Sequence, residues 1–105
     1  MSNVDEPRSS LTLTEIDTAD GFMRRTVHLT IDHRLVVEGH DLGDTEYEFE
    51  RTLSVPETRR LAELLAVPVL ELLPAIERRF GTTHALEIFV EEQGIAGELW
   101  TRTGD

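Results

Sequence analysis

Four runs of period-two alternation, and then a change to helical spacing at Pro56, are the feature that most narrows the folds open to this 105-residue chain. In residues 10–16, Leu11 and Leu13 alternate with Thr12 and Thr14, the pattern of a half-buried strand. Residues 22–31 place Met23, Val27, Leu29 and Ile31 on one face, and Arg24, Thr26, His28 and Thr30 on the other. Two further strands are expected over residues 35–40 and 45–54. Between them lie Thr18-Ala19-Asp20-Gly21, Asp32-His33-Arg34 and Asp41-Leu42-Gly43-Asp44, all rich in turn-forming residues.

After Ser54, a candidate helix cap, Pro56 suits a first helical turn, and Leu61, Leu64 and Leu65 recur at helical spacing. Pro68 and Pro74 punctuate the next stretch, so residues 69–80 are either one kinked helix or a helical turn leading to a helix over 74–80, stopped at Gly81. Residues 83–93 fit both periods, but the opening threonine and the closing Gly94 favour helix. Residues 95–103, with Trp100, read as a last strand. Strands succeeded by helices predict an α+β fold: an antiparallel sheet of four to five strands with two to three helices on one face. Residues 10–105 form a single domain in this reading, and residues 1–9 a flexible N-terminal tail.

Composition removes several functions. The formal charge is −11, and every basic residue is arginine, which points to a GC-rich genome. Residues 1–55 carry a net −7, residues 56–81 are neutral, and residues 82–105 carry −4, so the acidic excess falls on the expected sheet and tail. Such a chain repels phosphates, which argues against nucleic-acid or anionic-membrane partners. Without cysteine there is no disulfide, thiolate metal site or cysteine nucleophile. The N-terminal MSNVDEPRSS lacks the apolar stretch of a secretory signal, so a cytoplasmic location is expected. There is no Gly-rich phosphate loop, nucleophile elbow or HExxH. Nothing in the sequence requires a cofactor, and a non-enzymatic role is favoured.

The candidate site is a row of glutamates. A strand over residues 45–54 places Glu46, Glu48 and Glu50 on one face, away from Tyr47 and Phe49. Pairing Ile31 with Leu35, and His40 with Glu46, sets His28 opposite Glu38 and Glu38 opposite Glu48. One face is then apolar, with Arg51 a misfit, and the other gathers the four glutamates beside His28 and His40. Like charges directly opposite each other cost a few tenths to about 1 kcal/mol. The simpler explanation is a solvated face that keeps the sheet soluble and discourages edge pairing. The sharper one is a docking face, Glu38, Glu46, Glu48 and Glu50, for a basic protein partner. A third is a metal-binding domain or metal-dependent enzyme built on His28, Glu38 and His40, a donor set used by zinc and non-haem iron.

Other features are assigned ordinary roles. Asp32 and His33 are turn residues. Arg59-Arg60 and Arg78-Arg79 lie near helix acids such as Glu63 and Glu77 and read as a solvated helix face. Trp100 is expected in the core, with an exposed anchor as the alternative. A solvent-facing Trp100 or an open sheet edge would support a structural homodimer, but the charge favours a monomer or a weak homodimer.

The segments LVVEGHDLGD, residues 35–44, and GIAGELWTRTGD, residues 94–105, carry a resemblance. They make the chain similar to an uncharacterised group of small acidic proteins of GC-rich bacteria, which share an EG-x-DLG turn and a W-x-R-x-GD ending. The resemblance spans residues 35–105 and implies a common fold, with no activity and no catalytic residues to carry over. The loop after the EG-x-DLG turn is shorter here than in that group. Gly39 and Gly43 in that segment are read as permitting backbone shapes closed to other residues. Size and charge also give the chain the general character of bacterial immunity proteins, which neutralise basic toxins, an analogy of class alone.

Overall fold

A computed structural model describes residues 9–104, and the tail expected over 1–9 falls, Ser9 apart, outside them. The chain forms β1 (Ser9–Thr18), β2 (Gly21–Leu29), β3 (Leu35–Leu42) and β4 (Glu46–Thr52), then α1 (Val55–Leu65), a 3-10 turn (Val69–Glu71), α2 (Leu72–Arg79), α3 (Thr83–Glu92) and β5 (Glu98–Gly104). The five strands make one antiparallel sheet in sequence order. This is the α+β architecture that the change of period predicts.

Both inner hairpins differ in register from the expected pairing, each by two residues. Leu29, not Ile31, faces Leu35, and Glu48, not Glu46, faces His40. In the first hairpin Thr30 and Arg34 close the ladder (Thr30 N to Arg34 O, 2.9 Å) and His33 N donates to Thr30 O at 3.0 Å. His33 takes a left-handed backbone (φ 68°), giving the three-residue loop in which a tight turn precedes a left-handed residue. Histidine is one of the few non-glycine residues found there with any frequency. An even shift keeps every side chain on its face and changes only its partner. Thr26 rather than His28 faces Glu38, and Glu50 rather than Glu48 faces Glu38 on the other side.

A bulge lies between Thr12 and Thr14 of β1, where the pairing with β2 skips Leu13. Beyond it the alternation of β1 is inverted, so Glu15 rather than an even-numbered residue joins Arg24 on the outer face. Gly39 faces Phe49, and a Cβ at Gly39 would come within 2.1 Å of the Phe49 ring. That close approach, rather than a left-handed backbone, accounts for Gly39. Neither Gly39 nor Gly43 has positive φ, contrary to the expectation of unusual backbone shapes there.

The helices form where the leucine spacing and caps dictate. Ser54 and Glu57 make a reciprocal capping box (Glu57 N to Ser54 Oγ 3.2 Å, Ser54 N to Glu57 Oε1 2.8 Å), with Pro56 in the first turn of α1. Of the two alternatives for residues 69–80 the second is the nearer, since a 3-10 turn leads into a helix, but α2 starts at Leu72, two residues before the expected Pro74. Pro74 lies in the first turn of α2, where an amide hydrogen has no helical partner to lose. Residues 83–92 are helix, capped by Thr82, whose hydroxyl accepts from Ala85 N at 3.2 Å.

All three helices pack on one face of the sheet. Leu35 and Val37 of β3, and Leu53 just past β4, meet Leu61, Leu72, Ile76 and Leu86 from the helices, each almost wholly buried. Each such side chain contributes about 1.5–3 kcal/mol by leaving water. Thr58, fully buried, accepts from the Leu35 amide at 3.0 Å and so ties α1 to the loop-side end of β3. The helix layer stops short of β5, because Leu99, on the helix side of the sheet, is 53% exposed.

Arg51, the apparent misfit of the apolar face, is 6% exposed, and each of its three nitrogens donates a hydrogen bond. Its Nε donates to Glu87 (3.1 Å), one terminal nitrogen to Glu91 (2.9 Å) and the other to the Ala96 carbonyl (2.9 Å). Glu87 and Glu91 lie one turn apart on α3, so a single guanidinium fork fixes that helix and the loop after it against β4.

Candidate functional site

Among the described residues no helix packs on the other face of the sheet. Its residues are the set opposite the core: Phe22, Arg24, Thr26 and His28 on β2, Glu38 and His40 on β3, Glu46, Glu48 and Glu50 on β4, and Glu98, Trp100 and Arg102 on β5. The four glutamates expected to form an acidic face do share it. Near its centre is a concave cavity of about 460 Å³, lined among others by Arg24, His28, Glu38, Glu48, Glu50 and Trp100.

Ladder alternation sets how closely these side chains meet. Leu53 N donates to Leu35 O at 2.9 Å, so odd-numbered residues of β3 and β4 exchange the backbone hydrogen bonds. Glu38–Glu50 and His40–Glu48 are therefore non-hydrogen-bonded pairs, the kind whose Cα atoms approach to about 4.5 Å. Burial raises the Glu50 carboxyl above its ordinary pKa. The charge of Glu38 and a hydrogen bond with it add to the rise, while His28 opposes it.

Glu38, Glu46 and Glu48 find polar partners instead. His28 bridges Glu38 (Nε2 to Oε1, 2.7 Å) and Ser10 (Nδ1 to Oγ, 3.1 Å). His40 Nε2 lies 3.0 Å from Glu46 and 3.5 Å from Glu48, with the Phe22 ring edge-on at 6.4 Å. Arg102 reaches across from β5 to Glu48 at 2.7 Å and Glu46 at 3.5 Å. Arg24 leans over Phe22 at 5.0 Å and lies 3.8 Å from Glu15. Glu50, by contrast, has no ion-pair partner among the described residues, and the carboxylate that faces it repels it.

The three residues expected from sequence as metal ligands are split between two clusters. His28 meets Glu38, whereas His40 turns to Glu46 and Glu48. Among the described residues the one histidine-carboxylate trio with mutually close ligand atoms is His40, Glu46 and Glu48, all within 4.8 Å of one another. Arg102 already occupies the carboxylate side of that trio.

Trp100 is 52% exposed and sits on the open face opposite Glu50, which overturns its assignment to the core. Sequence reasoning also missed Arg102 as a partner of the glutamate row. The signal was present in the alternation of Glu98, Trp100 and Arg102, but using it requires knowing that β5 pairs with β4.

Fold and face together define an α+β domain on a five-stranded meander, with one sheet face largely covered by helices and the other, among the described residues, an uncovered and mainly acidic surface. No family model, curated protein or solved structure matches the chain. No helix among the described residues is long and apolar enough to cross a membrane.

Proposed function

We propose that this protein is a non-enzymatic acidic binding protein that docks a basic protein partner on its open sheet face, through Glu38, Glu46, Glu48 and Glu50. The observation that carries the reading is the facing pair Glu38–Glu50, held against each other beside an exposed tryptophan in a concave surface. An arginine or lysine side chain entering there would relieve the repulsion and lie against the Trp100 ring, where a cation is favoured by about 0.5–2 kcal/mol. Complementary charge would also speed encounter and make it salt-dependent. An inhibitor of the immunity or antitoxin kind is one form such a protein takes. Affinity capture from native-host lysate at low and high salt tests the reading. The wild type should retain a basic protein at low salt, and the variant with Glu46, Glu48 and Glu50 all changed to Arg should not. Equal capture by both baits would place docking elsewhere.

A second reading rests on His40, Glu46 and Glu48, which could hold a divalent metal ion if Arg102 swung away. Calorimetric titration with zinc checks it. Binding tighter than micromolar that disappears in His40→Ala supports the reading, and its absence in the wild type removes it.

A further inference from the structure

Among the described residues the sheet is open, with β1 and β5 as its two edges. The two edges differ. The β1 edge is interrupted by the bulge at Leu13, a common device against edge-to-edge association. The β5 edge pairs with β4 across all seven residues without a break in register, and it carries an exposed Leu99 on one side and an exposed Trp100 on the other. Ladder alternation, carried outward from the Leu53–Leu35 bond, directs the backbone groups of Glu98, Trp100 and Arg102 toward β4. Those of Leu99, Thr101 and Thr103 are left facing outward, where no described strand pairs with them.

We propose that β5 pairs antiparallel with β5 of a second copy of this chain, about a two-fold axis at Trp100. The charge pattern selects both partner and register. With Trp100 opposite Trp100, Glu98 of each copy faces Arg102 of the other, so the strand is complementary to itself twice over, as an isologous contact requires. Centring the axis at Thr101 instead would leave Glu98 opposite Gly104. Glu98 has no ion-pair partner among the described residues, and Arg102 at 55% exposure has room for a second carboxylate beside Glu48. The pairing joins two sheets into one of ten strands. It brings the two Trp100 rings together as a close, non-hydrogen-bonded pair and makes the two acidic faces continuous. The inference is independent of the partner that face binds.

Sedimentation velocity over a concentration series, from low micromolar upward, tests this with three variants. Wild type should shift to twice the monomer mass. Glu98→Arg and Arg102→Glu should each lose the dimer, because each sets like charges opposite one another. An equimolar mixture of the two variants should regain it, since every facing pair is then opposite in sign. Glu98→Arg makes the chain less acidic overall, so loss of its dimer cannot come from bulk repulsion. Thr101→Pro removes an outward amide without touching the β4 ladder, so it should remain folded by circular dichroism and stay monomeric. A wild type that is monomeric throughout, single variants that dimerise like wild type, or a mixture that remains monomeric would each overturn the proposal.

Discussion

The two faces of this sheet treat charge in opposite ways. On the covered face one arginine is buried, and each of its three nitrogens has a partner: Arg51 meets Glu87, Glu91 and the Ala96 carbonyl. On the open face charges are only partly matched. His28, His40 and Arg102 serve Glu38, Glu46 and Glu48, while Glu50 is left facing Glu38. A buried charge without partners is very costly, so the covered face tolerates only a satisfied one. Water screens the open face, and the cost of an imperfect match there is small enough to persist. The contrast separates charge that holds the fold together from charge that is available to a partner.

The largest effect expected to sharpen this contrast lies in adjacent residues of β3. Leu35→Ala, on the covered face, should lower unfolding stability by about 2–5 kcal/mol. Val36→Ala, one residue on and on the other face, should cost less than about 1 kcal/mol. Chemical denaturation measures both, and similar losses would break the two-face account. Next comes Arg51→Ala, expected to cost about 2–3 kcal/mol by removing three charge-assisted bonds and leaving the Ala96 carbonyl without its donor. The matching change on the open face, Arg102→Ala, should cost under about 1 kcal/mol, as for an exposed ion pair.

The smallest effect carries the opposite sign. Glu50→Gln should raise stability at neutral pH by a few tenths to about 1 kcal/mol, because it removes a facing like charge. The folded state holds the Glu50 proton more tightly than the unfolded chain does. Its contribution is therefore fully present below the ordinary carboxylate pKa and lost as pH rises through the raised value. Stability measured against pH should fall less steeply across that interval in Glu50→Gln than in wild type. An unchanged slope would show that burial and the facing Glu38 do not raise the Glu50 carboxyl.

Much of this architecture is legible in the chain, for specific reasons. Alternation assigns Val27, Leu29, Leu35 and Val37 to one face and Glu38, Glu46, Glu48 and Glu50 to the other, because side-chain period in a strand is fixed by geometry. Register is less accessible. It depends on His33 adopting a left-handed backbone and on β3 continuing to Leu42, choices of loop shape that hydrophobic pattern does not encode. The difference of two residues preserves the faces and changes the pairs, so the acidic surface is readable from sequence while Glu38–Glu50 is not. Arg51 looks misplaced because its partners come 36 and 40 residues later and meet it only once α3 lies over β4. Trp100 is misassigned because alternation tells which face a residue takes, not whether a helix covers it.

The central claim is that the open face is the surface a cation-bearing partner would use. An arginine-rich peptide titrated into isotopically labelled protein, monitored by NMR at low salt, tests it most directly. The account predicts shifts concentrated on the Trp100 indole N–H and the backbone around Glu38, Glu48 and Glu50, with α1 and α2 silent, and their disappearance at high salt. Shifts centred on the helices, or none on the sheet, would contradict it.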